Sequence, residues 1–393
     1  MKLWWSWPLL LLLTGCDRGA DTQDQTQSLN VPPTQQQSAL SVSSAFRADL
    51  GLSAYTHWSQ ASQLAQVLDT RIAALLHEPD EQSLAQTRLA WRQAYDAYLQ
   101  ALLFSYLPIT DPSEWRRQGL DQMTLLERLD SWPIEPGYID YLPGYPFSGI
   151  VNDLALDLNG QTLLDQHGFS DPTSASIGYH PIEFMLWGND GTRTARDFLP
   201  RENTAAVLLP AQDQLQANDD ISVQNHHRRR EYLQLVSEQL QKDLQRIQRR
   251  WQPSEGYYAE SLQRANPEQA LQALLIAMQR LTSQQLLQRR LEQHSSEFSV
   301  TSLDDLQALS DGVFAMLTAT DTSGSGLTTV LQASQLSQWQ QLQQDIELTL
   351  QQWRSDQLLT DDARQQLRED YITLLSYLQT LANQYQLQLP MPH

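Results

Sequence analysis

From Phe46 onward, apolar residues recur at three- and four-residue steps along most of the chain. Leu64, Val67, Leu68, Ile72 and Leu75 mark one apolar stripe. Leu84, Leu89, Tyr95, Tyr98, Leu102 and Phe104 mark a second, which predicts a helix from about Glu81 to Tyr106. A third helix is predicted over roughly Ser113 to Leu129. Helical spacing returns from Gln224 to Trp251, Glu268 to His294, Asp304 to Leu317, Leu331 to Trp353 and Asp361 to Gln384. Apolar positions at this period belong to amphipathic helices. No segment keeps the two-residue alternation of a half-buried strand, so the predicted class is all-α. Short links such as Thr320 to Gly326 imply antiparallel neighbours. We therefore expect two helical bundles side by side, one over residues 46–200 and one over 201–386, with a tail at 387–393.

The region from 131 to 176 breaks this pattern. It is dense in Pro and Gly before Ser148, then rich in Asn, Asp and Ser. Long irregular segments inside compact proteins tend to be functional or disordered. Trp132, Tyr138, Tyr141, Tyr145 and Phe147 favour order, so an ordered excursion with short helices is expected. The stretch from Arg201 to Asp220 reads as an inserted loop.

The N-terminus reads as an export signal. Leu9 to Leu13 form an apolar run too short to span a bilayer, followed by Leu13-Thr14-Gly15-Cys16. Residues 1–15 are expected to be a lipoprotein signal peptide, with Cys16 as the lipidated residue. An ordinary secretory signal is the alternative. Asp17 favours retention at the inner membrane, with the outer membrane as the other possibility. Residues 16–45, rich in Gln, Ser, Thr and Asp, bury too little to fold alone and are expected to form a tether. Cys16 is the only cysteine, so no intrachain disulfide can form.

Composition narrows the partners. The 393 residues carry a formal net charge of -20, which repels a phosphate backbone and excludes nucleic acid. Hydrophobic residues make up 41%, enough for a sizeable core.

The candidate chemistry concentrates in Gly178-Tyr179-His180-Pro181-Ile182-Glu183. Three-residue spacing on a helix points the imidazole and the carboxylate the same way. Pro181 belongs in a first helical turn, and Trp187-Gly188 supplies an end. His and Glu both ligate divalent or trivalent metals. The competing expectation is that His180 and Glu183 bond each other, or buried backbone, at a domain interface. The zinc-protease pattern His-Glu-x-x-His is absent, as is Gly-x-Ser-x-Gly. His-x-x-Glu with a distant His occurs in carboxypeptidase-type zinc sites, but the other histidines offer no clear third ligand. His226-His227-Arg228-Arg229-Arg230 is the only basic cluster. A solvated, ion-paired face is expected there, with binding of a haem propionate or another anion as the alternative.

The segment Gly178-Tyr179-His180-Pro181-Ile182-Glu183-Phe184-Met185-Leu186-Trp187-Gly188 resembles the Gly-x-His-x-x-Glu motif of the imelysin-like family, also called peptidase M75. Ala90-Trp91 with Tyr98, Trp132-Pro133-Ile134 with Ile139-Asp140-Tyr141, and Ser296-Glu297-Phe298-Ser299 with Asp305 agree with the family in order and spacing. The resemblance spans roughly residues 46 to 386. Where the family carries Arg, Glu and Arg on its second helix, this chain has Tyr95, Leu102 and Ser105. Glu297 replaces a Cys, and Val300 and Leu303 stand where the family has an Asp and a His.

The resemblance implies an all-helical fold of two bundle-like domains, with the motif near their interface. It also implies a bacterial envelope protein linked to iron or haem acquisition. On this basis His180 and Glu183 are expected as metal ligands, with Asp140 and Glu297 as possible further oxygen donors. Iron, another divalent or trivalent metal, or haem is the expected cofactor. The expected partners are the membrane, through the lipid anchor, and components of iron or haem uptake. A metallopeptidase and a non-catalytic interaction module are the rival functions.

Overall fold

The computed structural model describes residues 40–107, 125–200, 225–292, 295–318, 326–356 and 360–391. The expected signal peptide, Cys16 and all but the end of the tether lie outside the described residues. So do most of the helix expected over 113–129 and the stretch from 201 to 220.

Helix α1 (Ala45–His77) buries Phe46, Leu50, Trp58, Leu68 and Ile72 along one stripe. Helix α2 (Glu81–Ala101) starts at a capping box. Ser83 N–H donates to Asp80 Oδ1 at 2.6 Å, and Asp80 N–H donates to Ser83 Oγ at 3.2 Å. This satisfies two donors that a helix start leaves unpaired. The chain continues as a 3-10 helix over Leu102–Tyr106, so the expected limits of this segment hold.

The excursion contains a short 3-10 turn at Pro136–Tyr138 and helix α3 (Gly160–Gln166), capped by Asn159. Helix α4 (Tyr179–Trp187) follows, with all nine residues buried. Then come α5 (His226–Trp251), α6 (Tyr257–Arg264) and α7 (Pro267–Arg280). Pro267 sits at the first position of α7, where its missing N–H costs nothing. The rod of α7 widens into a π-helix over Leu281–Leu291. Helices α8 (Ser302–Thr318), α9 (Ala333–Asp356) and α10 (Asp361–Gln384) complete the chain.

The fold is all-α, and no strand occurs among the described residues beyond one isolated bridge, Leu142 to Tyr145. Two groups of helices pack side by side. In the first, α1 lies against α2 and α5, α4 packs on α2 and α5, and α6 packs on α1 and α5. In the second, α8, the π-helix, α9 and α10 pack together with α7. Helices α5 and α6 pack with α1, across the boundary expected at residue 201. The α2–α8 contact joins the groups. There Gly312 lets the backbones meet: a Cβ at this position would lie 2.7 Å from Gln100 O. No described helix is long and apolar enough to cross a membrane.

Candidate functional site

The site begins with a glycine. Gly178 precedes α4 at φ 110°, and a Cβ there would sit 2.3 Å from Arg128 O and 2.8 Å from Leu129 O. Only glycine permits both that conformation and that approach. The start of α4 is thus pressed onto the helical residues 125–129, and Asp130 comes to lie beside His180. Trp91 Nε1 donates to Tyr179 O at 2.9 Å, and Tyr179 donates its hydroxyl proton to Ala94 O at 3.1 Å, fixing α4 to α2. At the far end Gly188, at φ 77°, closes α4, and the Arg88 guanidinium donates to the Leu186 carbonyl.

His180 is fully buried and both ring nitrogens face carboxylates. Nδ1 lies 2.7 Å from Glu183 Oε2, and Nε2 lies 3.1 Å from Asp130 Oδ1 and from the Tyr95 hydroxyl. Tyr95 donates to Asp130 Oδ1 at 2.8 Å and accepts from Arg290 at 2.8 Å. Arg289 donates to Asp130 Oδ1 at 2.9 Å and to its main-chain oxygen at 2.8 Å. Glu183 Oε1 accepts from Ser299 N–H at 2.9 Å and Ser299 Oγ at 2.6 Å. Asp305 Oδ2 accepts from Ser295 and Ser296 hydroxyls and lies 3.7 Å from Arg290 Nε. The Trp132 ring stands 4.7 Å from the imidazole, closing the site with Phe298, whose ring also packs on Phe184.

Burial alone would lower the His180 pKa, but hydrogen bonds and charges from Asp130 and Glu183 outweigh it and raise it. Burial would raise the Asp130 pKa, yet Arg289, Arg290 and His180 pull it below the usual carboxylate range. Burial dominates at Asp305, whose pKa is raised despite Arg290. With a carboxylate at each ring nitrogen, the geometry suits an imidazolium that donates on both sides. His180, Arg289 and Arg290 face the acidic side chains of Asp130, Glu183 and Asp305 in one buried network.

Arg289 and Arg290, adjacent near the end of the π-helix, both reach the same carboxylate.

A metal ion on His180 does not fit this arrangement. A ligating imidazole needs an unprotonated nitrogen, and both are spent on carboxylates. Two guanidiniums already occupy the far side of Asp130, and they would repel a cation. Among the described residues no group of three or more His, Cys, Asp or Glu side chains is arranged to hold a metal.

The expected further donors lie elsewhere. Glu297 is exposed, because its loop turns Phe298 and Ser299 inward instead. Asp140 belongs to a second buried network. It accepts from Arg229 Nε at 2.6 Å, Arg193 at 2.8 Å and Asn152 at 3.2 Å. Burial opposes its ionisation, but Arg229 and Arg193 hold its pKa down at about 2. The motif residues Trp132, Ser299 and Asp305 do converge on the His180 network.

The basic cluster is not a solvated face. Arg229 is fully buried on Asp140, and Arg228 donates to the carbonyls of Ile150, Val151, Asp153 and Leu156. Arg230 donates to Phe198 O, and the buried His226 meets Leu199 O at 2.9 Å; only His227 is exposed. An irregular excursion leaves carbonyls without helical partners, and these guanidiniums supply the donors.

Asp130, Arg289, Arg290 and Tyr95 were not foreseen. Arg290 carried a signal: it stands four residues after Leu286 and beside Leu291, on the apolar stripe where a charge needs a buried partner.

Beside this network lies a cleft of about 900 Å³. Asp130 and Arg289 line it, together with Tyr106, Trp132, His167 and Arg280. Burial and nearby Arg128 lower the His167 pKa to about 4, so this imidazole is neutral near pH 7. Its Nδ1 accepts from Ser176 N–H at 3.3 Å, which leaves the proton on Nε2, facing Ser131 Oγ at 3.2 Å.

Residues 51–382 match the family model for imelysin, Peptidase M75. No curated protein matches the chain. An imelysin-like protein from Psychrobacter arcticus is similar in fold, with a TM-score of 0.59 at 13% identity, covering 90% of this chain and 99% of that one. A protein described as an iron-regulated protein A precursor, from Parabacteroides distasonis, has a TM-score of 0.55 at 14% identity, covering 86% and 95%. With the Gly-x-His-x-x-Glu helix at its centre, the chain belongs to the imelysin family.

Proposed function

We propose that this chain is a lipid-anchored envelope protein that binds iron in complexed form, as haem or a ferric chelate, for uptake. The observation that carries this reading is the closed state of the His180 network. With both imidazole nitrogens facing carboxylates and two guanidiniums on Asp130, the centre is a filled polar wall rather than a seat for a bare ion. Iron then enters with its own ligands, through the adjoining cleft. The description of the Parabacteroides distasonis relative as iron-regulated supports the link to iron. Leu13-Thr14-Gly15-Cys16 supports the envelope location.

A metallopeptidase would need a metal-bound water held by three protein ligands, which the His180 network does not offer. The test is elemental analysis of the protein purified from its own envelope, with titrations of haemin, ferric citrate and zinc. Expected are iron in the purified protein, a raised melting temperature with haemin or ferric citrate, and no response to zinc. Stoichiometric zinc binding that His180→Ala abolishes would restore the peptidase reading. Silence in all three titrations would favour an interaction module. Cys16→Ala is expected to move the protein from the membrane to the soluble envelope fraction.

A further inference from the structure

We propose that the cleft is a polycarboxylate site in which Arg280 and Arg289 grip separate carboxylates of one ligand. This rests on the binding role above and names the class of ligand that role requires.

Three guanidiniums line the cleft, and two of them are committed. Arg128 is paired with Asp243 at 2.8 Å, and Arg289 with Asp130 at 2.9 Å. Arg280 is half-buried and lines the same cleft, and among the described residues its guanidinium has neither ion pair nor hydrogen bond. In a protein of net charge -20 with 46 acidic residues, an unmatched guanidinium in a concavity is a local reversal of sign. Partial exclusion of water strengthens its pull on an anion. Planar guanidinium matches carboxylate geometry with two parallel hydrogen bonds.

Spacing selects the ligand. Arg280 ends α7 and Arg289 lies near the end of the π-helix, up to about 13 Å further along the same rod. Two cations so separated suit a molecule with carboxylates at both ends better than one compact tetrahedral anion. Tyr106 and Trp132 add flat aromatic walls to the same cleft, and neutral His167 adds no competing charge. Glu127, exposed at the rim, disfavours anions that cannot reach inward to Arg280.

Arg289 links the cleft to the buried network. The guanidinium that would hold a ligand carboxylate also holds Asp130, which in turn holds His180. A bound ligand therefore shares Arg289 with Asp130.

Calorimetric titration of the full chain with citrate, ferric citrate, haemin and inorganic phosphate tests the proposal. Citrate or haemin is expected to bind, and which of them does identifies a small chelate or a porphyrin as the carboxylate source. Arg280→Ala should weaken that binding about tenfold or more, with the melting temperature of the ligand-free protein unchanged. Arg280→Lys should recover part of the loss. Equal affinity in Arg280→Ala, or phosphate binding as tightly as citrate, overturns the proposal. The two readings also fail separately. Iron bound equally by wild type and Arg280→Ala removes the cleft assignment but leaves the iron reading. Citrate bound through Arg280, with no iron retained in any form, removes the iron reading and keeps the site.

Discussion

Both ring nitrogens of His180 face carboxylates in a fully buried site. Its environment supplies two carboxylates where a ligating imidazole would want one orienting partner and one open nitrogen. Truncation should leave Asp130 and Glu183 buried with one counter-charge fewer. His180→Ala is expected to cost about 3–5 kcal/mol, read by urea denaturation at pH 6. The same assignment fixes the pH dependence. The folded-state pKa of His180 is raised, so its contribution is complete below the unfolded value of about 6.5 and is lost as pH rises through the folded value. Asp96 acts in the same sense. Burial, with Asp305 and Asp304 nearby, raises its pKa to about 7, so stability falls as pH rises from its unfolded value of about 3.9 towards 7. Asp130 and Asp140 act in the opposite sense, with lowered values whose stabilisation is lost only as pH falls below about 3.9. The melting temperature should therefore peak at about pH 4 to 5 and fall above it. Asp96→Asn should flatten the descent from pH 5 to 7. A peak at pH 8 would show that His180 is not an imidazolium.

At the scale of elements, the seam between the two helix groups depends on Gly312 of α8 against the α2 backbone at Gln100. Alanine is the better helix former by about 1 kcal/mol, so an isolated α8 would gain from Gly312→Ala. In the folded protein the added methyl meets a main-chain oxygen and a main-chain carbon that cannot rotate away. The expected outcome is a net loss of about 1–3 kcal/mol by chemical denaturation. A gain would mean that α2 and α8 slide apart at no cost. This seam was not legible in the sequence, because a glycine within a helical stripe reads as a defect until its neighbour is known. The helices were legible because each long one carries its own apolar stripe. Glu81 to Tyr106 and Asp361 to Gln384 were bounded correctly by periodicity. Half of the site was legible too: Gly178, His180 and Glu183 sit within six residues. Asp130 and the Arg289–Arg290 pair come from distant segments that only the fold brings together. Arg228 and Arg229 misled for a related reason. Charge in a helix start predicts a wet surface unless an irregular segment with unpaired carbonyls packs against it.

For the molecule as a whole, the two buried networks change where the charge lies. In each, cations and carboxylates largely cancel, and Arg229, Arg290 and Arg193 are almost wholly removed from water. The surplus of 46 acidic over 26 basic residues is not reduced by these two networks. Ion pairs at the surface include Lys242–Glu238, Arg264–Glu260 and Arg368–Glu292, whose side chains are all at least partly exposed. Such pairs contribute about 0–1 kcal/mol each, and salt screens them. Salt also screens the repulsion among the excess carboxylates, a longer-range sum over many charges. The buried networks are shielded from both effects. The repulsion should dominate the balance, so the melting temperature should rise between 10 and 300 mM sodium chloride, most steeply at the low end, where the screening length falls from about 30 Å to below 10 Å. Calorimetry across that range measures it. A melting temperature that falls with salt would place the stabilising charge pairs at the surface, and the buried networks would then carry less of the fold than their geometry implies.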